Sequence, residues 1–267
     1  MRAQNRAYSI SHGINMTNDP LYERSLLVFA EIGLQQLQAA HVLVAGVGGV
    51  GGFVAEALAR AGVGCITLID HDSVSLSNKN RQIIALDSTM GLNKAEVMAK
   101  RIADINPDCK VIISRDFIRP DDMERVLSTP YDFVVDAIDS LNCKAALVIM
   151  AVQKKIPVAS SMGAGRRIDP SKIQLADISK TYGCALARNM RQRLKKQRIH
   201  KGVITVFSSE LPQAPGPMEE IEGSRGRVVN GTASYMPGIF GLMLAGRVIQ
   251  ILAAPKPEIV HSRQENA

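Results

Sequence analysis

Between positions 46 and 139 the chain carries, in order, a run of glycines, two aspartates, an arginine, a lysine and a further aspartate. Those residue types in that order suit the handling of a nucleoside triphosphate. The run Gly46-Val47-Gly48-Gly49-Val50-Gly51-Gly52 directly follows a short apolar segment, residues 41–46. A tight turn at Gly46, close backbone approach at Gly48 and Gly49, and close helix packing at Gly51 would leave helix N-terminal N–H groups facing a polyphosphate. Asp70 closes the next apolar run, residues 65–70, where a carboxylate can accept hydrogen bonds from ribose hydroxyls. On these two features alone a nicotinamide-dependent oxidoreductase would be favoured.

Arg81 and Lys94 turn the reading elsewhere. A hydride-transfer enzyme has no need of two cations aimed at the phosphate loop. An enzyme that cleaves ATP at the α-phosphate and expels pyrophosphate does. The DAID sequence, Asp136 to Asp139, closes a fourth apolar run, and ligands of open α/β sheets sit beyond the carboxyl ends of strands. Asp139, the outermost, is expected to hold Mg²⁺ on the triphosphate, and Asp136 is expected to be structural.

The elements that must position these groups alternate. Strands are expected at 41–46, 65–70, 110–114, 131–139 and 156–161, and helices at 50–60, 94–105, 121–127 and 144–154. Continuous apolar strands alternating with helices imply a parallel sheet covered on both faces, the Rossmann-like, doubly wound α/β class. Asn106-Pro107 should stop the helix before it. Beyond residue 165 the rhythm changes to an extension of mixed strands and helices: strands near 171–179 and 203–209, a basic helix between them, and a Pro-, Gly- and Glu-rich loop at 211–231. The 267 residues are read as a single domain, with a nucleotide-binding core at 24–165 and an extension at 166–267.

Composition narrows the class. The chain is 46% hydrophobic, with 21 glycines, no tryptophan and a net charge of +7, so it can build a core and attract polyanions. Cys65, Cys109, Cys143 and Cys184 form no CxxC pair, which excludes a zinc knuckle or redox dithiol and fits reduced, buried thiols in a cytoplasmic protein. The first residues contain no apolar run of a secretory signal. Residues 236–254 are nearly long enough to span a bilayer, but Pro237, three glycines and Arg247 favour a buried helix over a membrane segment.

The ordered set GVGGVG, Asp70 and Asp72, SNKNRQ with Asn78 and Arg81, GLNKAE with Lys94, and DAID with Asp139 resembles the ThiF/MoeB/HesA superfamily of ubiquitin-activating-like adenylating enzymes. The resemblance implies a nucleotide site of Gly46, Gly48, Gly49, Gly51, Asp70 on the ribose, Asp72, and Asn78, Arg81 and Lys94 on the phosphates. It implies that Asp139 organises Mg²⁺ or the acyl phosphate, and that Arg24 reaches into the partner subunit's site of a homodimer. Activators of sulfur carriers usually have two CxxC pairs and many have a downstream cysteine, both missing here. The INP after the second helix, KAAL after DAID, IPVASSMGAG and VFSSE are similar to the TcdA (CsdL) branch of tRNA threonylcarbamoyladenosine dehydratases. That branch implies adenylation of a threonyl carboxylate followed by ring closure with loss of AMP. Intramolecular attack needs no enzyme thiol, because proximity supplies the advantage. Adenylation of the C-terminus of a sulfur-carrier or ubiquitin-like protein is the alternative, a nicotinamide oxidoreductase the third reading, and a non-catalytic RNA-binding module the fourth.

Residues 185–201 hold Arg188, Arg191, Arg193, Lys195, Lys196, Arg198 and Lys201 with no acidic residue, and Leu186, Met190 and Leu194 recur every four positions. One apolar stripe and a one-sign outer face suit salt-sensitive contacts to RNA phosphates. The resemblance implies a tRNA anticodon loop as the RNA, with the modified base splayed into the ATP site. It further implies a cysteine desulfurase system as a partner, and a helix start here without the usual cap, since Cys184-Ala185 stand where the branch often has Asp-Pro. Gly163 and Gly165 match a glycine loop that could approach the substrate or a monovalent cation.

Overall fold

The computed structural model describes residues 19–219, 227–228 and 230–255. In chain order the elements are α1 Glu23–Ala39, β1 His41–Ala45, α2 Gly51–Arg60, β2 Cys65–Ile69, α3 Lys94–Ile105, β3 Lys110–Ser114, α4 Met123–Val126, β4 Phe133–Asp136, α5 Leu141–Gln153, β5 Val158–Ser161, β6 Ile173–Asp177, α6 Ala185–Lys196, β7 Ile204–Ser208, β8 Met218–Glu219, β9 Arg227–Val228 and α7 Met236–Leu252. Seven strands form one sheet in the order β3-β2-β1-β4-β5-β7-β6. All pair in parallel except β6, which runs antiparallel to β7. The doubly wound, mostly parallel sheet expected from the sequence is therefore present, with its order reversing between β1 and β4.

Side chains of β1 alternate between two cores because successive residues of a strand face opposite ways. Val42 and Val44 pack with α2, α3 and α7, whereas Leu43 and Ala45 pack with α4, α5 and α6. The 236–254 segment is the buried helix α7. Its Phe240, Leu244 and Val248 are fully buried, each contributing about 1.5–3 kcal/mol. Among the described residues no helix is long and apolar enough to cross a membrane. At Gly241 a Cβ would come within 2.5 Å of the Val50 carbonyl oxygen, so glycine lets α7 lie directly on the start of α2.

Several expectations need amendment. Helix α1 was not foreseen; it bends at Ala30, whose φ is 56°. The fourth strand is shorter than 131–139, because the chain leaves the ladder after Asp136. Strand β3 forms an edge, with Ile112 and Ile113 38% and 40% exposed, so the sheet is not covered everywhere. The 211–231 segment contains the small β8–β9 pair, although residues 220–226 and 229 lie outside the described ones. The basic helix ends at Lys196, and Arg198 follows in the left-handed region.

Candidate active site at the switch point

Where the strand order reverses, the chains leaving the paired ends of β1 and β4 run to helices on opposite faces of the sheet, the place where open α/β sheets bind their ligands. Gly46 turns the chain out of β1 with φ +88°, and a Cβ there would meet the Ala137 carbonyl oxygen at 2.7 Å. Gly51 is equally constrained, since its Cβ would collide with the Gly46 carbonyl oxygen. Among the described residues, the Gln82 side-chain nitrogen, at 3.6 Å, is the nearest atom that a Cβ at Gly48 would meet. Two glycines thus shape the turn and a third leaves room for a ligand against the backbone. Gln82, to which sequence reasoning assigned no role, supplies that nitrogen, and its buried Oε1 has no hydrogen-bond partner among the described residues. An orphaned polar atom beside a glycine turn fits a site that a polar ligand completes.

Asp70 locks this turn to β2. Its Oδ2 accepts from the Val47 N–H at 2.7 Å and its Oδ1 from the Asp72 N–H at 2.9 Å. Asp72 in turn accepts from the Lys94 ammonium at 2.7 Å, and the His71 imidazole lies 3.1 Å from its other oxygen. Lys94 is buried at the first position of α3, where Asn93 caps the helix by accepting from the Ala95 and Glu96 N–H groups. The Asn93 amide also donates to the Asp70 and Asp72 carbonyls, so helix start and strand end form one rigid unit. A buried lysine needs an anion close by; Asp72 provides it here.

Arg81 comes from the turn after the 3₁₀ segment Leu76–Asn78. The Arg81 Cγ lies 3.4 Å from where a Gly49 Cβ would be, so its stem runs against the glycine turn. The guanidinium donates to the Ser77 carbonyl at 2.9 Å and to the Asn80 side-chain oxygen at 2.8 Å. Asn78 is buried, and its Oδ1 accepts from the Ser75 N–H at 3.1 Å, so its carbonyl is spent on holding this turn.

Asp136 and Asp139 occupy contrasting places. Asp136 is fully buried, with its Oδ2 accepting from the Lys144 ammonium at 2.6 Å and the Ser160 hydroxyl at 2.5 Å. Burial pushes its carboxyl pKa up, against the pull of Lys144 and Ser160. Its Oδ1 accepts from the Ile138 N–H at 3.1 Å, which sets the turn presenting Asp139 to solvent. The loop after β5 carries Gly163 and Gly165, and its carbonyls are already engaged: the buried Arg167 guanidinium donates to Gly163, to Gly165 and, at 3.1 Å, to Glu210. Arg24 is exposed in the first turn of α1.

The cations of α6 and of the turn that follows it divide. Arg188, Lys195, Lys196 and Arg198 are exposed and Arg193 is half-buried. Arg191 instead turns back, donating to the Thr181 carbonyl at 2.9 Å and to its hydroxyl. Cys184 precedes the helix without a side-chain cap, as expected. Two grooves flank α6: one of about 290 Å³ is lined by Ser179, Arg188, Gln192, Lys195 and His200, and one of about 490 Å³ by Asn142, Ile149, Arg193 and Lys196. The four cysteines are free, three of them buried, and burial pushes the Cys109 thiol up to about 12.

Comparison with known proteins agrees with this geometry. A model of the ThiF family matches residues 22–266. The chain is 47% identical over 199 residues to the tRNA threonylcarbamoyladenosine dehydratase of Escherichia coli (strain K12), covering 71% of this chain and 74% of that protein. The protein of the same name from Bacillus subtilis (strain 168) is 39% identical over 238 residues, covering 86% and 94%. The crystal structure of the E. coli dehydratase, TcdA, in complex with ATP matches with a TM-score of 0.78 at 40% identity, covering 86% of this chain and 93% of that one.

Proposed function

The chain belongs to the ThiF family, and we infer that it catalyses the ATP-dependent dehydration of N6-threonylcarbamoyladenosine in tRNA through an adenylated carboxylate. What supports this reading is that two cationic residues are tied into the structure around the glycine turn. Arg81 packs along Gly49, and Lys94 is joined to Val47 through Asp72 and Asp70.

Each residue then has a task. The turn at 46–52 presents N–H groups to the polyphosphate, and Asp70, fixed by Val47, retains acceptor capacity for the ribose. As the threonyl carboxylate attacks the α-phosphorus, negative charge grows on the phosphoryl oxygens and on departing pyrophosphate. Arg81 and Lys94 stabilise that charge, and Lys94 exchanges its Asp72 contact for phosphate. Asp139, an exposed carboxylate at the strand end, suits a hard divalent cation and would hold Mg²⁺, which neutralises phosphate charge when bound. Ring closure follows within the substrate. Effective molarities of about 10⁵ M or more make an enzyme nucleophile unnecessary there. The high pKa of Cys109 and the burial of Cys143 and Cys184 agree with chemistry that uses no thiolate.

The tRNA's anticodon loop is assigned to the exposed face of α6. A homodimer is supported by Leu27, Val28 and Ile32, which are 81%, 74% and 54% exposed on the helix that also carries Arg24; in that arrangement Arg24 completes the partner's site. The described residues act as one adenylating unit, in which the Gly163–Gly165 carbonyls already have a cation in Arg167. A reducing cytoplasm suits its four free thiols. The test is to incubate the protein with ATP, Mg²⁺ and tRNA bearing threonylcarbamoyladenosine. Loss of one water from the nucleoside by mass spectrometry is expected. An unchanged nucleoside, with AMP release stimulated by a small carrier protein instead, would overturn the assignment.

A further inference from the structure

Arg81 does not hold its direction alone. Its Nη1 donates to Asn80 Oδ1 at 2.8 Å, and Asn80 Nδ2 donates at 3.0 Å to the carbonyl of Thr232, a residue 152 positions further along the chain. The next carbonyl back, that of Gly231, accepts from the Arg166 N–H at 2.8 Å. Arg166 has φ 60°, an uncommon conformation for a side chain other than glycine, and its guanidinium and carbonyl are both bonded to Gln213. At the far end of the same stretch, Tyr235 donates its hydroxyl to the Ile168 carbonyl at 2.6 Å. Residues 230–235 therefore form a strap between the Arg81 turn and the loop after β5, and lead directly into α7, whose Pro237 Cβ lies 3.0 Å from where a Gly49 Cβ would be.

We propose that Asn80 is a positioning residue for the adenylation step. Its carboxamide aims the Arg81 guanidinium while anchoring it to the strap at Thr232. The chemistry is specific to an amide: one oxygen to accept from the guanidinium and one N–H₂ to donate to a carbonyl. Alanine supplies neither and aspartate only the first. Asn80 is exposed and caps no helix, so its replacement leaves the core intact. In an arginine with several rotatable bonds, an anchor on one terminal nitrogen limits the directions open to the other donors, and catalysis responds steeply to such misplacement.

This inference rests on the assignment of Arg81 to the phosphates, and a double-mutant cycle in the full-length protein separates the two. AMP formation is measured with ATP, Mg²⁺ and tRNA bearing threonylcarbamoyladenosine for wild type, Asn80→Ala, Arg81→Ala and the double variant. Asn80→Ala is expected to lower kcat about 10-fold with little change in the KM for ATP, and to have under 2-fold effect once Arg81 is alanine. Amide hydrogen exchange at 231–235 should quicken in Asn80→Ala, which reads the anchor independently of turnover. A 10-fold loss in both backgrounds, an unaffected Asn80→Ala enzyme, or unchanged exchange in the strap would overturn the positioning role. A wild-type rate for Arg81→Ala would instead overturn the phosphate assignment.

Discussion

The cations at the carboxyl end of the sheet and those on α6 carry the same charge under opposite arrangements. Lys94 is buried against Asp72, and Arg81 is held by a backbone carbonyl and a carboxamide. On α6 and the turn after it, among the described residues, Arg188, Arg193, Lys195, Lys196 and Arg198 form no ion pair, and all but the half-buried Arg193 are exposed. A catalytic charge must already stand where charge will develop, so it is fixed by neighbours in advance. A charge that greets an RNA backbone gains by remaining mobile and hydrated until counterions are released. The same residue types are therefore preorganised in one region and left free in the other.

That contrast can be broken at its strongest point first. Arg81→Ala and Lys94→Ala should each lower turnover about 10²-fold or more, as for other lost transition-state charge contacts. Near wild-type turnover for either would remove the preorganised half of the comparison. Replacing Arg188, Lys195 and Arg198 together with alanine should weaken tRNA binding about 10-fold and reduce the slope of log affinity against log salt by about 2, at roughly 0.7 per single-strand phosphate contact. A slope that does not change would send the RNA elsewhere. Arg191 sharpens the boundary from within α6. Arg191→Ala should cost about 1–3 kcal/mol in denaturant unfolding, because it ties the helix to Thr181, yet leave the salt slope alone.

The smallest effect concerns pH. Glu56 on α2 is buried, and although burial alone would raise its pKa, hydrogen bonds and charge from Arg101 and Arg60 hold it below the usual range. A depressed carboxyl contributes stability above its unfolded value, about 4.3, and loses it as pH falls through the folded value. The melting temperature of Glu56→Gln should thus trail wild type at neutral pH and converge with it in acid. A gap that persists unchanged below about pH 3 would contradict the pairing.

Much of the site was legible because its signals are local. The glycine turn, the helix opening at Lys94 and the polar turn around Arg81 each lie within a few residues of the strand or helix that presents them. Strand β3 and helix α3 matched the expected limits for the same reason. What escaped depends on distant partners. Thr181 lies ten positions before Arg191, Glu210 lies 43 positions after Arg167, and Thr232 lies 152 after Asn80, distances at which no sequence periodicity operates. Helix α1 escaped because its bend at Ala30 shifts the helical phase between Leu26-Leu27-Val28 and the buried Gly33, Leu34 and Leu37, so no single apolar stripe runs its length. The shortened β4 has a different cause, since Asp136 turns the backbone out of the ladder by accepting from Ile138.

The central claim is that this site joins the threonyl carboxylate to the α-phosphorus of ATP before the ring closes. Labelling the carboxylate oxygens of the tRNA-borne nucleoside with heavy oxygen and analysing the released nucleotide by mass spectrometry tests it directly. One heavy atom should appear in the phosphate of each AMP. Unlabelled AMP, with the heavy oxygen leaving as water or on another phosphate, would contradict it.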